Sequence, residues 1–164
     1  MFLFKKKKEI TKNGIYSVAS GKIIPLENVN DPVFSEKMIG DGFAVELKSD
    51  YLVAPFDGEV CMIYPTLHAF GINNKDDIEV LVHIGINTNA LNGKGFEYFV
   101  NVGDKVKQGD LIAKVDTHYI KSKGFDASLM QIYPNRIKEK IIMEDNIKKV
   151  VKGNTLVAIY RNDE

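Results

Sequence analysis

In "IEVLVHIGI", residues 78–86, apolar side chains fall on alternate positions. Val80, Val82, Ile84 and Ile86 take one parity, and Leu81, His83 and Gly85 take the other. Alternation of this kind predicts a β-strand with one buried face. Four β-branched side chains mark their parity as the core side. Short runs of the same character recur in "IYSVASGKIIPL", "DGFAVEL", "YLVAPFDGEVCMIY", "FEYFVNVGDKVKQGDLIAKV" and "TLVAIY", separated by turn-forming residues. That spacing predicts an all-β fold, an antiparallel sandwich or barrel. Helical signals allow one or two short helices. In "DPVFSEKMIG", Pro32 opens a turn that Gly40 ends. "FDASLMQI" is predicted helical, with Asp126 as cap and Leu129 and Ile132 at helical spacing. "EDNIKKVVKG" is a further candidate. No linker or tandem repeat divides the chain. A single domain over residues 15–164 is expected to follow a flexible basic tail of residues 1–14.

The strand gains interest from its neighbour. "TLHAFGINNKDDIEVLVHIGINT", residues 66–88, holds two of the three histidines, with Asn73 to Asp77 as a turn between them. A hairpin symmetric about the Lys75–Asp76 bond sets His68 directly opposite His83. Opposed side chains share a face, with Cβ atoms roughly 4.5–5.5 Å apart, whereas a slip of one residue sends them to opposite faces. His83 would point away from the core, over Gly85, with open space around its ring. Two imidazoles on one open surface suit a metal site, but no third ligand lies at an evident spacing. They also suit phosphoryl transfer. One neutral ring nitrogen attacks phosphorus while the other ring donates a hydrogen bond to a phosphoryl oxygen. Thr66, two residues before His68 and expected on the same face, is placed to fix a ring nitrogen of His68. Backbone N–H groups near Gly85 are candidates to hold the phosphate. The pattern alone also leaves open two unrelated surface histidines.

Composition narrows the field. The chain has 164 residues, enough for one domain with a respectable core. Lys and Arg number 22, as do Asp and Glu, so no global field draws it to nucleic acid. One cysteine, Cys61, rules out an intrachain disulfide framework and fits a reducing compartment. No apolar run approaches the ~20 residues of a membrane-spanning helix. A cytoplasmic protein is expected. The start, "MFLFKKKKEI", lacks the apolar region of a secretory signal. Phe2, Leu3 and Phe4 before Lys5 to Lys8 suit peripheral contact with an anionic inner-membrane face, and a solvated tail is the competing reading.

Several motifs then align in order. "DPVFSEKMIGDG" (31–42), "VAPFDGEV" (53–60), "HAF" (68–70), "LVHIGINT" (81–88) and "NGKGFEYFVNVGDKVKQGD" (92–110) resemble the glucose-type IIA component of the bacterial phosphoenolpyruvate-dependent sugar phosphotransferase system. The resemblance runs from about residue 15 to the end. It implies an antiparallel β-sandwich of the duplicated-hybrid-motif type. It implies a phosphocarrier that accepts phosphate from the histidine of the carrier protein HPr and passes it to a cysteine on the IIB domain of a IIB/IIC sugar permease. His83 would carry the phosphate through Nε2, His68 would support onward transfer, and Thr66 would hydrogen-bond His68. Partners would dock on an apolar ring of Val33, Phe34, Met38, Ile39, Tyr64 and Leu81, with Asp31 as an acidic rim residue. Asn87 and Asn89 depart from the family pattern, where Asp and an apolar residue are usual. His118 matches no motif. No intrinsic cofactor is implied. Zinc at His68 and His83 would need a partner carboxylate. Regulated transporters or kinases are further partners that the family allows.

Rival readings are weaker on the residues. A biotinyl or lipoyl carrier pairs "VGD" and "APxDG" turns, but in the opposite order and with a modifiable lysine that is missing here. A zinc metallopeptidase of the related β-fold needs a His-X-His pair, and position 81 is Leu. A non-catalytic regulatory binding module is the third alternative.

Overall fold

A computed structural model of the chain describes residues 11–162. Most of the predicted tail lies outside the described residues. The strands run in order as β1 (Gly14–Tyr16), β2 (Gly21–Pro25), then, after helix α1 (Pro32–Ser35), β3 (Gly40–Leu47), β4 (Tyr51–Val53), β5 (Gly58–Ile63), β6 (Ala69–Asn73) and β7 (Glu79–Ile84). They continue as β8 (Phe96–Tyr98), β9 (Lys105–Val106), β10 (Leu111–Val115), helix α2 (Thr117–Ser122), β11 (Leu129–Pro134), β12 (Ile141–Met143), β13 (Lys149–Val150) and β14 (Leu156–Tyr160). Short 3-10 helices span Leu26–Asn28, Thr88–Leu91 and Asn135–Lys140.

The strands form three sheets, ordered β13-β2-β3-β11-β7-β6-β5-β9, β4-β10-β8 and β1-β14-β12. Every pairing among the described residues is antiparallel. The main core lies between the eight-stranded sheet and the two small ones. Phe43, Val45, Phe70, Val80, Val82 and Ile84 meet Ile15, Leu52, Ile112, Val115 and Val157 there. The fold is the expected all-β sandwich with two short α-helices.

The other face of the large sheet carries a second cluster. Phe34, Ala44, Ile86, Met130 and Ile132 pack there with Leu26 and Val29. Two covered faces explain the main error in the sequence reading. Residues 125–132 were expected to be helical, but Leu129–Pro134 is the strand β11, and each of its residues is buried. One cluster covers each of its faces, so apart from the hydrogen-bonded Gln131 neither parity is polar and no alternation shows. Asp126 caps no helix; its carboxylate accepts from the Ser128 N–H. The segment 144–153 forms no helix either and contributes only β13.

Both real helices begin with an aspartate cap. Asp31 Oδ1 accepts from the Val33 N–H at 3.0 Å, and Pro32 takes the first position, as the sequence predicts for Pro32, but the helix stops at Ser35 and Gly40 opens β3 instead of ending it. The unpredicted α2 has Asp116 Oδ1 accepting from the Tyr119 N–H at 2.9 Å. His118 lies exposed on α2.

Candidate functional site

On the outer face of the large sheet, cross-strand pairs form a continuous row: Ile24 beside Ala44, Ala44 beside Met130, Met130 beside His83, and His83 beside Ala69. The predicted hairpin register is therefore off by one. Ala69, not His68, is opposite His83. The turn is the cause. Asn74 Oδ1 accepts from the N–H groups of Asp76 and Ile78, and Asp77 takes a left-handed φ of 60°, so the loop centres on Asp76 rather than on a peptide bond.

The two imidazoles still meet. Their ring centroids are 5.3 Å apart at an interplanar angle of 72°. His68 lies just before β6, where the pleat no longer governs direction. A tight turn precedes it: the Leu67 N–H donates to Tyr64 O, and Leu67 adopts a φ of 63°. Beyond the turn the chain rejoins the sheet, with the Ile84 N–H donating to His68 O and the Tyr64 N–H to Ala69 O. Ala69 is small, so the space opposite His83 is open to the His68 ring. Thr66 sits in the turn rather than on a strand face, and its Oγ1 is 2.7 Å from His68 Nδ1.

The expectation of open space over Gly85 does not hold. Gly85 has a φ of 77°, and a Cβ there would stand 2.4 Å from Thr88 Cγ2 and 2.8 Å from Asp126 O. Its N–H donates to Ser128 O at 2.8 Å, and that of Ile86 donates to Asp126 O at 3.0 Å. These two groups are engaged and are not phosphate donors. The left-handed residue also breaks the alternation, so Ile86 joins the outer cluster instead of the main core.

Aromatic rings enclose the pair. Phe34 meets His83 edge-on, with centroids 5.0 Å apart at 64°. Tyr64 lies tilted against His68 at 5.2 Å and edge-on to His83 at 6.2 Å. Burial disfavours the charged imidazole. It pushes His83 down to about 4, helped by neighbouring His68 and opposed by the Asp31 carboxylate. Burial lowers His68 as well. Both rings are thus neutral nucleophiles or hydrogen-bonding groups at neutral pH.

The other predicted surface residues divide. Val33, Met38 and Tyr64 are exposed, at 37%, 62% and 39%. Ile39 and Leu81 are half-buried against the outer cluster. Phe34 is 4% exposed and belongs to that cluster. Sequence reasoning therefore missed its contact with His83; the Asp31 cap and Pro32, which fix where α1 starts, were the available signal. Asn87 and Asn89 are exposed on the loop after β7. Cys61 hydrogen-bonds Glu79 at 3.3 Å, and burial with that carboxylate pushes its thiol up to about 12, so it is a packed, unreactive group. A groove of about 1320 Å³ lies at the turn end of the β6–β7 hairpin and is lined by neither histidine. His68 and His83 are both partly exposed at the outer face of the sheet.

The family pattern described as phosphoenolpyruvate-dependent sugar phosphotransferase system, EIIA 1, matches residues 13–138. The chain belongs to this EIIA family. A glucose-specific EIIA component of Staphylococcus epidermidis is 38% identical over 156 residues, covering 94% of each chain. A glucose-specific EIICBA component of Streptococcus pneumoniae is 46% identical over 128 residues, which are 78% of this chain but 18% of that protein. The solved glucose permease IIA of Mycoplasma capricolum superposes with a TM-score of 0.78 at 38% identity, over 89% of this chain and 94% of that one. As an EIIA protein the chain is a phosphotransferase component, a phosphocarrier in sugar uptake. The metallopeptidase and the purely regulatory module find no support. Among the described residues no three His, Cys, Asp or Glu side chains gather to hold an ion. No helix among them is long and apolar enough to cross a membrane.

Proposed function

We propose that His83 is the phosphate-bearing residue of this EIIA protein and that His68, held by Thr66, assists transfer. The observation that carries the reading is the 5.3 Å separation of two neutral imidazoles on an open, apolar-rimmed face. His83 Nε2 attacks the phosphorus of phosphohistidine on HPr, and the N–P bond to the donor breaks as the new one forms. Onward transfer reverses the roles: a cysteine thiolate of a IIB domain attacks, and neutral His83 leaves. The loose transition state needs positioning and charge stabilisation more than covalent help. His68 supplies it by donating Nε2–H to a phosphoryl oxygen. That tautomer leaves Nδ1 as an acceptor, and the Thr66 hydroxyl donates to it.

Val33, Met38, Ile39, Tyr64 and Leu81 form the docking face, and Asp31 contributes negative charge beside it. HPr and the IIB domain use this face in turn, which suits a transient, exposed apolar patch. Regulated transporters or kinases would compete for the same surface. The relatives named for glucose support a glucose-type permease as acceptor. The domain is proposed to occupy residues 15–164 in the cytoplasm, with the basic N-terminal residues touching the inner membrane face. Zinc enters only if a partner carboxylate completes a site begun by His68 and His83.

The test is incubation with phosphoenolpyruvate, enzyme I and HPr, followed by mapping of acid-labile phosphate. Phosphate is expected on His83. His83→Gln abolishes acceptance, whereas His68→Gln still accepts but passes phosphate to IIB at least about 100-fold more slowly. Phosphate on His68, or normal acceptance by His83→Gln, refutes the assignment.

A further inference from the structure

We infer that Phe34 is a positioning residue that fixes the ring of His83 for attack, rather than part of the docking surface. The inference rests on the proposed role of His83 and adds to it a residue that sets its geometry.

The two histidines are held differently. His68 has a hydrogen bond from its ring to Thr66. Among the described residues, no hydrogen bond to either ring nitrogen of His83 is present. The orientation of that ring is left to packing. Its contacts are Phe34 at 5.0 Å, His68 at 5.3 Å and Tyr64 at 6.2 Å, all edge-on. Tyr64 is exposed, and His68 is half-buried at the end of a turn. Phe34 alone of the three is buried, at 4% exposure.

Phe34 is itself seated firmly. It stands in α1, whose start is set by Asp31 and Pro32. It packs in the outer cluster with Ala44, Met130 and Ile132, and Met130 is the cross-strand neighbour of His83. The small Ala44 beside Met130 leaves space for an aromatic ring above the sheet. An edge-to-face aromatic contact has a preferred geometry that an aliphatic side chain of similar volume lacks. Phe34 therefore restricts the rotation of His83 and removes water from one side of it. The titratable groups that bear on His83 are His68 on the β6 side, whose protonation would disfavour a charge on His83, and the Asp31 carboxylate at the start of α1, which favours one.

The experiment compares wild type with Phe34→Leu, and with Phe34→Met should the leucine variant fail to fold. Three quantities are read: the His83 ring titration by NMR in unphosphorylated protein, the single-turnover rate of phosphate acceptance at saturating phospho-HPr, and the Kd for HPr. The expected result is a titration midpoint raised from about 4 toward the ordinary imidazole value of about 6.5. The saturated rate falls about 10-fold, and Kd changes less than about 3-fold. A midpoint or a saturated rate that stays at the wild-type value overturns the inference, and a loss confined to Kd returns Phe34 to the docking surface. Should wild type place no phosphate on His83, the proposed function fails, and the titration still decides whether Phe34 controls the ring.

Discussion

An imidazole that carries phosphate must first be unprotonated, and burial keeps His83, the proposed carrier, in that state. Its pKa is pushed down to about 4, against about 6.5 in an unfolded chain. Acceptance of phosphate should therefore stay level from pH 8 to about 5 and fall only near pH 4, whereas an unshifted imidazole would be half-protonated at about 6.5. A rate that halves near pH 6.5, measured alongside the His83 ring titration, would contradict the buried environment. The sign for folding follows. The folded state disfavours the proton that the unfolded state takes up, so this contribution to stability is complete above about pH 6.5 and is lost as pH falls toward 4. At this scale the sequence was informative about identity and poor on placement. His68, His83 and Thr66 were legible as a group from spacing and family motif. The shift was not, because it comes from burial of the ring and from His68 and Asp31, and burial by elements distant in sequence leaves no trace in local spacing.

Elements place the site through a few constrained turns, and Gly85 is the most exacting. It ends β7 directly after Ile84, in a left-handed conformation, with Thr88 Cγ2 and Asp126 O occupying the volume of a Cβ. Gly85→Ala should lose about 2–4 kcal/mol, from backbone strain together with overpacking. Thr88→Ser removes the nearer obstacle and should restore part of that loss; the remaining strain comes from φ and the Asp126 carbonyl. Urea unfolding of the two variants checks both claims, and an undiminished Gly85→Ala would show that the loop yields freely. The same segment shows where pattern reading stops. Strand β7 was predicted correctly up to Ile84 because one face is core and the other half-open. Past Gly85 the alternation reverses, so Ile86 was assigned to the wrong side. β11 was mistaken for helix because apolar clusters cover both its faces. The hairpin partner was right and its register wrong by one, a difference set by how Asn74 and Asp77 close the turn. The His68 ring nevertheless reached His83 because the turn before β6 frees it from the pleat.

The whole molecule is electrically balanced, with 22 basic and 22 acidic residues. It has no net field to steer partners from a distance, so encounter depends on charges at the rim of the docking face. Asp31 is proposed as one such charge, and its carboxylate also caps α1. On the loop after β7 the exposed Asn87 and Asn89 supply none. Asn87 adopts a φ of 60°, a conformation that Asp accepts almost as readily as Asn. Asn87→Asp therefore adds a negative charge on the loop after β7, four residues beyond His83 in sequence, without a cost in backbone strain. Association with HPr should accelerate about two- to fivefold at low ionic strength, and the gain should vanish toward 1 M salt, where the Debye length shrinks to about 3 Å. Dissociation should change little, because a rim charge acts chiefly on encounter, and in the proposed docking face the apolar residues Val33, Met38, Tyr64 and Leu81 supply the contact. Stopped-flow association at two salt concentrations separates these outcomes. An acceleration that persists in high salt would point to a direct ion pair, and no acceleration at low salt would mean that this loop lies outside the face that HPr approaches.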